Sequence, residues 1–118
     1  MRRRIMWALP AVAVVAACLP VTFAGSASAN ALCGTSATDK DSTAWDATGG
    51  GANMRSGSST SCAINGIAAS GNHLDYHCYT WGADGYSWTY LRNDSKSPDV
   101  YGWVRDTLLS DGGSLVPC

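Results

Sequence analysis

The chain has no glutamate: all nine of its acidic residues are aspartates. They are scattered through predicted loops, so no pair of carboxylates is set up for general acid–base work. There is no glycine-rich phosphate-binding motif. From residue 30 onward there is no sustained helical period and no internal repeat. Basic residues never cluster after Arg4, which argues against nucleic acid or an anionic membrane as partner. The single phenylalanine, Phe23, falls in the N-terminal apolar run, so the aromatic content of the rest is tryptophan and tyrosine alone.

What is present begins with an export signal. Arg2, Arg3 and Arg4 form a positive n-region, residues 5–24 are mostly apolar, and Ala27-Ser28-Ala29 offers the small-x-small pattern that signal peptidase reads. We expect residues 1–29 to be a secretory signal peptide cut after Ala29. A retained membrane helix needs roughly 20 apolar residues, but Pro10, Pro20 and the small-residue exit favour cleavage. Val15-Ala16-Ala17-Cys18 loosely fits a lipidation site, making a lipoprotein anchored at Cys18 the alternative. Against it, Leu19, Pro20, Val21 and Phe23 keep the chain apolar past that cysteine.

Residues 30–118 then form one small domain, secreted or associated with the cell wall. A chain of that size buries only roughly 60–65% of its unfolded surface, so its core alone is marginal. Lys40, Arg55, Arg92, Lys96 and Arg105 face nine aspartates, a net charge of −4. Cys33, Cys62, Cys78 and Cys118 remain, an even number that reads as a disulfide framework in an exported protein. Four cysteines allow three pairings, and their spacing does not choose among them.

Residues 30–51 are small and polar and read as an irregular N-terminal arm, held by Cys33, with Trp45 tucked against the body and Gly49-Gly50-Gly51 as a joint. From Ala52 onward, short segments alternate with turn residues: predicted strands at 52–56, 62–69, 73–81, 86–92 and 101–104, then one turn at 106–109. Such a pattern predicts an all-β sandwich or barrel. Alternation places Leu74, Tyr76 and Cys78 toward the core and His73, Asp75, His77, Tyr79 and Trp81 on the surface.

Four motifs in order resemble the bacterial Src-homology-3 (SH3b-type) family: Ala52-Asn53-Met54-Arg55-Ser56-Gly57 with its small-residue loop, Ile64-Asn65-Gly66-Ile67 with Gly71, Trp88-Thr89-Tyr90-Leu91, and Gly102-Trp103-Val104 with Leu108-Leu109. They span residues 52–109. Ser58 stands where the family usually has proline, the loop at 93–100 is long, and the arm and Cys118 are additions. The resemblance implies a small five-stranded SH3-like barrel over residues 52–118, with a core of Met54, Ile64, Leu74, Leu91, Val104 and Leu108. It also implies a hairpin around Ser70-Gly71-Asn72 that brings Cys62 to Cys78, and adjacent barrel ends that bring Cys33 to Cys118.

No enzyme is expected and no catalytic residue is assigned. On a strand His73 and His77 lie about 13 Å apart at ~3.3 Å per residue, too far for one ion, so no metal and no cofactor is expected. Cys78 and His77 point to opposite faces of a strand and cannot act as a nucleophile–base pair. The aromatic residues are the remaining candidates: Tyr79, Trp81, Tyr86 and Trp88 flank one loop, with Trp103 placed nearby, as a ligand-binding surface. Proteins of the resembled family bind cell-wall peptidoglycan or peptides through an aromatic groove, which implies a free-standing, monomeric extracellular binding module with no membrane contact after cleavage. The competing reading is a secreted inhibitor of a protease or wall hydrolase acting through the loop at 93–99. A structural surface protein is a weaker third. The export reading predicts Asn30 as the N-terminal residue of the secreted protein; mass spectrometry finding a lipid on Cys18 instead would refute it.

Overall fold

The computed structural model describes residues 30–45 and 50–118; the signal, the Cys18 alternative and Gly49 of the glycine joint lie outside them. Six strands form: β1 (Ala44–Trp45), β2 (Ala52–Arg55), β3 (Ile64–Ala68), β4 (Leu74–Trp81), β5 (Ser87–Asn93) and β6 (Val100–Arg105), followed by a single 3₁₀ turn, Asp106–Leu108. They make one antiparallel sheet in the order β1-β4-β5-β6-β2-β3. The all-β expectation holds. The five-stranded closed barrel does not: there are six strands, and the sheet is open, with β1 and β3 at its edges.

Strand β5 explains the architecture. Trp88, Thr89, Tyr90, Leu91 and Asn93 are all buried, on both faces of the strand. A strand buried on both sides needs two covers. On one face Leu91 packs with Met54, Leu74, Tyr76, Val104 and Leu109, each buried aliphatic side chain contributing roughly 1.5–3 kcal/mol. On the other, Trp88, Tyr90 and Trp103 pack against Ala31 and Ala37 of the arm. The arm is therefore a second cover for the sheet. It is pinned by the Trp103 indole, which donates to the Thr35 carbonyl (2.8 Å), and by backbone bonds from Gly34 to Ser56, Ser58 to Ala31 and Lys40 to His77.

The core expectation held for Met54, Leu74, Leu91 and Val104 and failed at two positions. Ile64 is 52% exposed because its partner across β2–β3 is outward-facing Arg55, past a bulge. The 3₁₀ turn rotates Leu108 outward and places Leu109 in the core instead. Gly102 sits where a Cβ would lie 2.9 Å from that of Met54, so only glycine lets β6 pass β2 this closely.

The C-terminal tail closes the free side of β4. Tyr79 N–H donates to the Val116 carbonyl and Cys118 N–H to the Tyr79 carbonyl. Gly113 allows this return: its φ is +83°, and a Cβ there would lie 2.2 Å from Asp106. A buried polar chain accompanies it. Ser114 donates to Asp41 (2.5 Å), Thr89 donates to Asp106 (2.5 Å) and accepts from Ser114 N–H. Burial pushes the Asp106 carboxyl up. Burial acts the same way on Asp41, but donors from Ser114 and Thr43 outweigh it and hold Asp41 below the ordinary carboxylate range.

Both disulfide pairings implied by the family resemblance are wrong. The bridges are Cys33–Cys62 and Cys78–Cys118. The turn at Gly71 exists, but the strands flanking it do not pair: β3 joins β2, while β4 joins β5 and β1. Asn72 draws the turn toward the end of β5, accepting from the Asn93 amide (3.0 Å). Cys62 and Cys78 are thereby carried to different parts of the sheet, and one bridge secures each cover, arm and tail. The loops they close span 29 and 40 residues, for which chain-entropy arguments give roughly 3–4 kcal/mol each. Replacing Cys33 and Cys62 together by serine should lower the unfolding free energy by about that amount in urea denaturation, and a non-reduced peptide map should recover the 33–62 and 78–118 pairs.

Candidate functional site

Two alternating segments build the arm-side face: Trp88-x-Tyr90-x-Arg92 on β5 and Tyr101-x-Trp103-x-Arg105 on β6. The antiparallel register sets Trp88 opposite Arg105, Tyr90 opposite Trp103 and Arg92 opposite Tyr101. Each cross-strand pair places an aromatic ring beside a ring or a guanidinium, the favourable unit of sheet pairing. The rings form a continuous row. Trp103 and Tyr90 lie 5.0 Å apart between centroids, Tyr90 and Tyr101 stack at 6.3 Å, and His77 meets both tyrosines edge-on at 5.3 and 6.0 Å. Trp103 and Tyr90 are buried beneath the arm, whereas Tyr101 is 42% exposed. Burial raises the Tyr90 hydroxyl above its ordinary pKa, so it remains a neutral phenol.

Beside the exposed ring runs a shallow groove lined by Tyr90, Tyr101, Arg55, Asn65, Thr35 and Ser36. Its volume is ≈ 130 Å³, well below the roughly 300–1,000 Å³ of a site that engulfs a drug-sized molecule. It suits a chain or ring laid across the surface. Arg55 donates to the carbonyls of Thr60 and Cys62, and Asn65 donates to the Tyr101 carbonyl (3.0 Å), so the groove walls are fixed before a ligand arrives. A larger cleft, ≈ 400 Å³, lies on another part of the surface between Trp45 and Leu115. Trp45 is 40% exposed, and its indole N–H donates to Ser110 (2.6 Å), so it is only partly tucked in.

At the far end of the row is a charged group. Asp75, Arg92 and His77 lie together, with Asp39 of the arm above them. Arg92 pairs with Asp75 (3.4 Å), Asp94 and Asp99 (3.9 Å), and its hydrogen bond to Asp94 raises its already high pKa further. Burial raises the Asp75 carboxyl, the neighbouring Asp39 carboxylate adds to the shift, and Arg92 and His77 oppose it.

The five expected ligand-binding aromatics do not form one surface. Register explains why. Tyr79 pairs with Thr89 and Trp81 with Ser87, placing both on the face opposite that of Trp88, Tyr90 and Trp103. Trp88 (2% exposed) and Trp103 (1%) are core residues rather than contact residues. Tyr86 is exposed on the arm side, under the Arg105 guanidinium at 4.9 Å, and Trp81 is exposed on its own.

His77 lies on the face it was expected to share with Asp75, but it is buried because the arm covers that face. Cys78 is bonded to Cys118 and offers no thiolate. The sequence expectation did not include Tyr90 and Tyr101 as groove residues, although the period-two alternation of rings and arginines on both segments carried the signal. Comparison with known proteins found no matching family model, no matching curated protein and no matching solved structure. Titration with N-bromosuccinimide should oxidise Trp45 and Trp81 first and spare Trp88 and Trp103 until the fold is lost, read by peptide mass spectrometry.

Proposed function

We propose that this is an exported, non-enzymatic binding module of SH3b type that lays a peptide-like ligand, such as the peptide portion of cell-wall peptidoglycan, across the Tyr101 groove. The observation that supports it best is the row of rings that brings partly exposed Tyr101 to the surface, beside a groove with fixed polar walls. A rigid aromatic ring with neighbouring backbone and amide groups is the composition of a binding hot spot. Two disulfides fit an extracellular setting, and among the described residues no helix is long and apolar enough to cross a membrane.

One feature favours the inhibitor reading as an alternative. The loop after β5 is tied down where it leaves the strand. The Asn93 side-chain Oδ1 accepts from Ser95 N–H, the Ser95 hydroxyl accepts from His73 N–H, and Asp94 N–H donates to the His73 carbonyl. A pre-ordered exposed loop loses little entropy on docking into a protease cleft.

Purified oxidised protein should co-sediment with cell-wall sacculi. Tyr101→Ala should weaken that binding by about thirtyfold, the scale of a hot-spot truncation, while Trp81→Ala leaves it unchanged. Loss on Trp45→Ala instead would move the site to the other cleft. No co-sedimentation, with a stable complex formed on an extracellular protease, would replace this reading by the inhibitor.

A further inference from the structure

We propose that Asp39, Asp75 and His77 form a binding site for a divalent transition-metal ion of the zinc class. The three residues come from the arm and from β4, and one ligand atom of each lies within 4.8 Å of the others.

The histidine carries the argument. His77 is only 7% exposed. Its Nδ1 lies 3.2 Å from the Ala37 carbonyl oxygen. A carbonyl can only accept, so this contact places a proton on Nδ1, and in the neutral imidazole the lone pair is then on Nε2. Nε2 is fully shielded from solvent and has no hydrogen-bond partner. It faces Asp75 Oδ2 at 3.5 Å and Asp39 Oδ2 at 3.8 Å. That lone pair faces two carboxylates, a repulsion relieved by a positive charge at Nε2, either a second proton or a metal ion. Buried polar atoms are almost always satisfied, so an orphan of this kind calls for an explanation.

A metal ion supplies one. Zinc holds nitrogen and oxygen ligands at about 2.0–2.2 Å, which places neighbouring ligands of a tetrahedral site about 3.4 Å apart. The two Nε2–oxygen separations, 3.5 and 3.8 Å, are close to that edge. The surroundings match as well. Ligating histidines commonly give their other N–H to a backbone carbonyl, as His77 does to Ala37, and ligating carboxylates are themselves held, as Asp75 is by Arg92. Two carboxylates and a divalent ion are neutral together, which removes the repulsion between the Asp39 and Asp75 carboxylates.

The imidazole selects against calcium and magnesium, which prefer all-oxygen sites. Three protein ligands leave one coordination position open, on the side where the Asp39 side chain is 46% exposed. His73 takes no part; it lies against Asp94 (3.9 Å). The site does not depend on the ligand proposed for the Tyr101 groove.

The test is a zinc titration of the untagged, oxidised, chelator-stripped protein at pH 7, in competition with a chromogenic chelator and with ¹⁵N spectra of the imidazoles. We expect one equivalent to bind, with the His77 Nε2 resonance shifted and Nδ1 still protonated. His77→Ala and Asp39→Asn should each weaken binding by about tenfold or more, and His73→Ala should not. Asp39 is a half-exposed arm residue, and asparagine keeps its size, so that variant tests the site even if His77→Ala fails to fold. Absence of saturable uptake, or uptake unchanged in folded Asp39→Asn, overturns the assignment.

Discussion

Strand β5 is buried on both faces, and that constraint governs the rest of the molecule. A single small sheet ordinarily packs one face and leaves the other to water. Here the second face carries Trp88, Tyr90 and Trp103, three rings that cannot be left in solvent at tolerable cost. The arm answers that need. It has few large apolar residues of its own, so it is held by directed bonds, the Trp103 indole on Thr35 above all, and by a covalent link through Cys33. The tail does the same for the free edge of β4. Two polar, low-complexity segments are thus ordered by what lies beneath them.

That division of labour bears on function. Every group in the site arises where the arm meets the sheet. The arm buries Trp103 and Tyr90 and stops short of Tyr101, and the edge it leaves is the groove. It also delivers Asp39 and the Ala37 carbonyl to His77. Removal of the arm would leave the Leu91 and Val104 core in place and dismantle the surface built on the other side. The Leu91 core and the surface proposed to bind a ligand therefore lie on opposite faces of one sheet.

The sequence reading was most reliable where it used local rules. Turn residues and alternation located β2 to β6 to within a few residues, and the all-β class followed. The inward positions Met54, Leu74, Leu91 and Val104 were legible because each sits in an uninterrupted alternation. The errors share one cause, information that is not local. The bulge at Tyr76–Cys78 reverses the sides on which Cys78, Tyr79 and Trp81 lie, and nothing in the residues around it announces the extra one. Strand order separates β3 from β4 although a good turn joins them, so the pairing of the cysteines could not follow from adjacency. Trp88 and Trp103 were taken for surface because a second cover was not foreseen; a polar arm gives no hydrophobic signature of its role. The juxtaposition of Asp39 with Asp75 and His77 depends on that same cover and was invisible for the same reason.

The arm also precedes in the chain everything it covers. Synthesis runs from the N-terminus, so Ala31 and Cys33 emerge before Cys62, and well before β5 and β6 supply the rings beneath them. Until then the arm has nothing to close over, and Cys33 has no partner thiol until Cys62 follows. The arm thus precedes in the chain the rings it covers, and Cys118, which completes the second bridge, follows β6.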